Sequence, residues 1–109
     1  MKFQKDQLRI SLKPNENLML DIKARGTEHS VVYKLNNKDR VLLENQILKI
    51  EGKTVENETT PLIIELGFSD KSGGIYDLII SGSSGETHKL SLPQSGDLAN
   101  IIAFNLEGE

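Results

Sequence analysis

The chain has 109 residues, a length that suits one domain and is short for two. Its net charge is −3, so it has no overall basic field to attract nucleic acid. The absence of cysteine excludes disulfides, thiolate nucleophiles and cysteine-based zinc sites. Because hydrophobic residues make up 37% of the chain and aromatic residues 5%, we expect a shallow core built on leucine and isoleucine.

The first residues, MKFQKDQLRISLK, contain no apolar segment of the kind found in a signal peptide. We therefore expect a cytoplasmic protein if Met1 is the native start, and an extracytoplasmic one if a signal sequence has been removed. No apolar run approaches the length of a membrane span. Residues 1–25 are basic and residues 61–109 acidic, an asymmetry that allows two copies to attract each other head to tail. Simple solvation of the surface accounts for it too, and is the explanation that we favour.

Apolar and polar residues alternate with a period of two over most of the chain, which predicts β-strands with one buried face. Residues 8–12 and 18–24 alternate in this way on either side of a turn at 14–17, and we predict that they form a hairpin. The pattern resumes at 31–35 and again after Pro61. From that proline onwards the predicted inward-facing residues are Leu62, Ile64, Leu66, Phe68, Tyr76, Leu78, Ile80, Leu90 and Leu92.

Two segments, 40–51 and 97–107, are ambiguous. As a helix, 40–51 would be capped by Asp39 and Gly52, but its apolar residues would spread over two opposed faces, which a surface helix avoids. We therefore predict strands there, with a bulge or turn at 44–46. The segment 97–107 fits either an amphipathic helix or a strand, and we predict a strand.

About seven or eight short strands, separated by turns every 8–12 residues or so, predict an all-β fold. We expect a two-layer antiparallel β-sandwich of immunoglobulin-like or jelly-roll topology that spans residues 1–109 as a single domain. Residues 70–76, DKSGGIY, resemble the entry to a tyrosine corner of the immunoglobulin-like type. That resemblance implies a hydrogen bond from the Tyr76 hydroxyl to the backbone upstream.

Catalytic chemistry has few candidates in this chain. No serine lies in a Gly-x-Ser-x-Gly elbow, and a lone histidine such as His29 or His88 is more often a packing or surface residue than a general base. The mid-strand acids Asp21, Glu65 and Asp77 would serve a glycosidase only if two of them faced each other across a cleft. We therefore predict no enzyme activity, no catalytic residues and no cofactor.

One carboxylate pair has a position that suits a ligand. Asp70 and Asp97 lie in alternate loops, which meet at one end of an up-and-down sheet, with Ser72 and Ser95 near them. A carbohydrate- or calcium-binding module that uses this loop end is therefore the alternative function. Two turn-forming aspartates that cap their own backbone explain the pattern as well. The lack of tryptophan weakens the case for carbohydrate, which binds on aromatic platforms.

Two predicted strands carry apolar residues on both faces. Ile75 and Ile79 lie opposite the buried face of one strand, and Ile101 lies opposite that of another. The outer face of such a sandwich is normally hydrated, so these residues indicate cover by a protein partner, by a second subunit or by a helix from 40–51. We therefore predict a non-catalytic binding or assembly module that self-associates through these outer faces, with neither nucleic acid nor membrane as a partner.

Overall fold

A computed structural model describes residues 1–26, 29–68, 74–94 and 100–109. These residues form ten β-strands and two short 3₁₀ helices, Lys5–Gln7 and Gly52–Val55, and contain no α-helix. The strands are β1 (Lys2–Gln4), β2 (Arg9–Leu12), β3 (Asn17–Gly26), β4 (His29–Leu35), β5 (Val41–Leu42), β6 (Ile47–Glu51), β7 (Thr59–Phe68), β8 (Gly74–Gly82), β9 (Thr87–Gln94) and β10 (Asn100–Gly108).

The strands form two sheets packed face to face. Sheet A has six strands in the order β1-β2-β10-β7-β4-β5, and sheet B has four in the order β6-β3-β8-β9. Neighbouring strands are antiparallel except β2 and β10, which run parallel. The predicted all-β, two-layer sandwich is thus confirmed, while its immunoglobulin-like or jelly-roll topology stays a prediction. The structure has more strands than predicted because β1 and β5, of three and two residues, are too short to show alternation.

The predicted hairpin between residues 8–12 and 18–24 is wrong. β2 belongs to sheet A and β3 to sheet B, so the turn between them carries the chain from one sheet to the other. A backbone hydrogen bond of 2.7 Å from Gly52 N–H to Glu16 O anchors this turn to the second 3₁₀ helix. Alternation shows which face of each strand is buried, but it does not show which strand pairs with which.

Both ambiguous segments contain strands, as predicted. The segment 40–51 includes β5 and β6, which lie at the edges of different sheets and are joined by residues 43–46. Of 97–107, residues 100–107 lie in β10, and 97–99 are outside the described residues. In β10 the buried residues alternate with exposed ones, so a period of two is the correct interpretation.

Inward-facing side chains of both sheets form one apolar core. Of the inward-facing residues that alternation predicts from Pro61 onwards, Leu62, Ile64, Leu66, Tyr76, Leu78, Ile80 and Leu90 are buried and Leu92 is half-buried, as predicted, while the side chain of Phe68 is not described. The buried apolar residues of the core are Ile10, Leu12, Leu18, Leu20, Ile22, Val31, Leu48, Ile50, Val55, Leu62, Ile64, Leu66, Tyr76, Leu78, Ile80, Leu90, Ile102, Phe104 and Leu106.

Tyr76 connects the two sheets through the core. It is fully buried on β8 of sheet B, and its hydroxyl donates to Gly67 O in sheet A at 2.6 Å and lies 3.1 Å from Ser30 O. Ser30 and Gly67 face each other across β4 and β7. Burial raises the pKa of the Tyr76 hydroxyl, because a phenolate there would lose its hydration. The hydrogen bond to the upstream backbone that the tyrosine-corner resemblance implies is therefore present.

The parallel pairing of β2 with β10 brings the basic N-terminal region against the acidic C-terminal one. Arg9 Nε lies 3.1 Å from Glu107 Oε1, and both side chains are half-exposed. Part of the charge asymmetry in the sequence is therefore neutralised within one chain, although an exposed pair of this kind stabilises the fold only weakly.

Candidate functional site

The predicted loop-end pair lies outside the described residues. This applies to Asp70 and Asp97 and to their neighbours Ser72 and Ser95. The calcium or carbohydrate site therefore stays a prediction. Within the described part of the chain, no group of three or more His, Asp or Glu side chains is arranged to hold a metal ion. Over the same ranges, the structure has no helix long and apolar enough to span a membrane.

The two histidines lie apart, and each packs on an aromatic ring. His29, at the exposed start of β4, meets the ring of Tyr76 edge-on with a centroid distance of 6.1 Å. His88, half-buried on β9, meets Phe3 of β1 in the same way at 5.2 Å. Because β1 and β9 are edge strands of different sheets, the contact between His88 and Phe3 closes one side of the sandwich.

The three mid-strand carboxylates do not converge on a cleft. Glu65 lies on the outer face of sheet A, whereas Asp21 and Asp77 lie on the outer face of sheet B. Asp77 accepts a hydrogen bond of 2.7 Å from Ser91 Oγ, and its Oδ2 lies 3.1 Å from Arg25 Nε. The Ser91 hydrogen bond first, and then the charge of Arg25, hold the pKa of Asp77 below its ordinary value. Asp77 thus connects β3, β8 and β9 on the sheet surface.

The predicted interface residues do not form one surface. Ile75 and Ile79 lie half-buried on the outer face of sheet B, whereas Ile101 lies on the outer face of sheet A and is 60% exposed. These two faces are on opposite sides of the sandwich. An interface at either face is therefore a separate prediction.

The outer face of sheet A carries the two most exposed large apolar side chains of the described residues. Cross-strand pairing places Ile101, Glu65, Val32 and Leu42 in one row over β10, β7, β4 and β5. Ile101 is 60% exposed and Leu42 58%, and three strand spacings put them about 14 Å apart. The adjacent row contains Ala103, Ile63 and Lys34 over β10, β7 and β4. We call the apolar residues of both rows the sheet-A strip: Ile101, Val32, Leu42, Ala103 and Ile63.

Glu65, the charged residue in the row of Ile101 and Leu42, already has a partner. Arg40 donates a hydrogen bond of 2.5 Å to Glu65 Oε2. Only 28% of the Glu65 side chain is exposed. Because the carboxylate is paired within its own chain, covering the first row does not bury an unpaired Glu65, and Lys34 is the remaining charge of the adjacent row.

A cleft of about 430 Å³ opens at the side of the sandwich, where residues 43–46 pass from β5 to β6. Two backbone hydrogen bonds hold this connection: Leu43 N–H donates to Val31 O at 2.9 Å, and Ile22 N–H donates to Gln46 O at 2.7 Å. We call this feature the β5–β6 cleft. Its lining contains both apolar and polar residues, and consists of Ile22, Val31, Leu42, Leu43, His29, Ser30, Glu44, Asn45 and Gln46.

Sequence reasoning found neither Leu42 nor the cleft. Leu42 lies in a strand of two residues, which is too short to show alternation. The cleft combines residues of β3, β4 and the connection that follows β5, and only the strand order brings these segments together. Comparison with protein-family models, with curated proteins and with solved structures finds no match to this chain.

Proposed function

We propose that this protein is a non-catalytic assembly module that self-associates through the sheet-A strip. The proposal depends on one observation: Ile101 and Leu42, 60% and 58% exposed, stand at the two ends of one cross-strand row. Soluble monomers rarely expose contiguous apolar patches, and larger patches mark interaction sites. Residues 40–51 form edge strands, so they provide no helix that would cover the strip.

A second copy of the chain is the partner that suits this row. A two-fold axis that runs along the strands between β7 and β4 places Ile101 of one copy against Leu42 of the other, and the reverse. Such an isologous contact covers both exposed side chains and closes as a dimer. The ion pair between Arg40 and Glu65 leaves this row without net charge, which lowers the electrostatic cost of covering it, and Lys34 of the adjacent row is the remaining charge.

The opposite face of the sandwich has no role in this dimer. Ile75 and Ile79 are half-buried there, and Lys23 and Lys89 stand on the same face. The exposed large apolar residues of that face are Ile47, at 41%, and Met19, at 37%. Met19 therefore provides a matched control for Ile101.

Sedimentation velocity over a range of protein concentrations tests the proposal. We expect a monomer–dimer equilibrium, which Ile101→Lys weakens by about 10–100-fold because a buried isoleucine contributes about 1.5–3 kcal/mol. Met19→Lys on the opposite face leaves the equilibrium unchanged. A wild-type protein that remains monomeric at millimolar concentration, or a Met19→Lys variant that loses the dimer while Ile101→Lys keeps it, contradicts the proposal.

A further inference from the structure

We propose that the β5–β6 cleft binds a lysine side chain presented by a partner protein. The cleft is concave and, at about 430 Å³, falls within the size range of ligand pockets. It adjoins the flat sheet-A strip, with which it shares Leu42, and lies at the side of the sandwich, so binding there is a function beyond self-association.

The charge of the lining selects the ligand. Among the described residues that line the cleft, Glu44 carries the one formal charge, and no lysine or arginine is present. Glu44 is exposed and forms no ion pair with the described residues. A cationic group therefore meets an available carboxylate, whereas a carboxylate ligand meets a like charge.

The apolar part of the lining selects a cation with an aliphatic stem. Leu42 and Leu43 are the accessible apolar residues of the lining, because Ile22 and Val31 are buried, so a ligand that enters the cleft contacts both apolar and polar groups. Lysine combines a four-carbon stem, which lies along apolar surface, with an ammonium group that takes up to three acceptors. Glu44 supplies carboxylate oxygens, and the side-chain carbonyl of Gln46 supplies a further acceptor.

The loop that carries these acceptors is held in place before any ligand arrives. Asn45 Oδ1 accepts a hydrogen bond of 3.3 Å from Ile47 N–H, and the backbone of Gln46 is bonded to Ile22. A pre-formed connection reduces the conformational entropy that binding costs. The cleft therefore binds lysine without a rearrangement of sheet A or sheet B.

Titration with blocked pentapeptides, followed by ¹⁵N–¹H NMR, tests this inference. The probe has a central lysine between alanines, and two matched probes replace it with norleucine, which has the stem without the charge, or with glutamate. We expect the lysine probe to shift the amide resonances of residues 29–31 and 42–46 at millimolar concentration. It binds about 2–5-fold more tightly than the norleucine probe, as a half-exposed ion pair allows, and the glutamate probe binds most weakly.

Two variants separate this outcome from a non-specific one. Glu44→Gln removes the preference for lysine over norleucine and leaves the fold intact, because the side chain is exposed. Glu56→Gln, an exposed change that follows the second 3₁₀ helix, leaves the preference unchanged. Equal binding of the lysine and norleucine probes by the wild type, or no shift in these amides, overturns the proposal. The dimer is tested separately by Ile101→Lys, because Ile101 does not line the cleft.

Discussion

Replacing Tyr76 with phenylalanine tests how much the hydrogen bond between the sheets contributes to stability. The substitution removes one oxygen atom and keeps the ring that fills the core. In the wild type this hydroxyl is 2.6 Å from Gly67 O and 3.1 Å from Ser30 O, and the residue is fully buried. Tyr76→Phe therefore changes polar contacts between the sheets and leaves the packing volume almost constant.

The size of the effect follows from the surroundings of the two carbonyl groups. A hydrogen bond contributes about 0.5–1.5 kcal/mol net, and a buried acceptor left unsatisfied costs about 1–3 kcal/mol. Ser30 is exposed and Gly67 half-buried, so water partly replaces the lost donor. We therefore expect Tyr76→Phe to lower the free energy of unfolding by about 1–2 kcal/mol, which corresponds to a Tm lower by about 5–10 °C for a domain of this size.

Urea denaturation followed by circular dichroism measures this difference. Tyr33→Phe is the matched control, since Tyr33 is half-buried on β4 and its hydroxyl has no hydrogen-bond partner among the described residues. We expect the midpoint of Tyr76→Phe to fall with an unchanged m-value, and that of Tyr33→Phe to stay close to the wild type. Equal stability of the two variants would refute the assignment of a stabilising role to the hydroxyl.

Three further predictions concern glycines and pH. A Cβ atom at Gly52 would lie 2.1 Å from a backbone carbonyl oxygen, so we expect Gly52→Ala to lower the free energy of unfolding, measured in urea, by about 2–3 kcal/mol. A Cβ atom at Gly67 meets nothing closer than 3.9 Å, so Gly67→Ala should leave the protein equally stable or stabilise it. Similar urea midpoints for Gly52→Ala and Gly67→Ala would contradict the close approach of the backbone carbonyl to Gly52. Gly85 has φ +97° and open space around it, so Gly85→Ala costs about 1 kcal/mol through backbone strain alone, and a stabilised variant would be inconsistent with that conformation. The folded pKa of Asp77 is lowered, so its stabilisation is present above the ordinary value of 3.8 and is lost as the pH falls through the folded pKa. The free energy of unfolding should therefore decline on acidification less steeply in Asp77→Asn than in the wild type, and parallel pH profiles would show that Asp77 makes no such contribution.

The buried faces were predictable because they are encoded locally. Leu18, Leu20 and Ile22 alternate with polar residues, and all three are buried in β3. The same pattern identified β10 as a strand, since Ile102 and Phe104 share its inner face. A period of two is a property of neighbours in the chain, so one sequence is enough to detect it.

The pairing of strands was not predictable in the same way. The segments before and after the turn at 14–17 look like a hairpin in sequence, yet they belong to opposite sheets. Ile79 and Ile101 both look like outward-facing isoleucines in the sequence. They lie on different sides of the sandwich because their strands belong to different sheets. Only the strand order distinguishes a half-buried isoleucine on sheet B from an exposed one beside Leu42 on sheet A.

The insertion of β10 between β2 and β7 has a consequence for how the chain folds. Pairs such as Arg9 with Asn105 join residues that are almost a full chain length apart. Until β10 is in place, β2 and β7 each present an open edge on which other chains can aggregate. Closing a loop of this length costs conformational entropy before any stabilising contact between β2 and β10 has formed. We therefore expect folding over milliseconds to seconds, with the pairing of β2 and β10 as a late step.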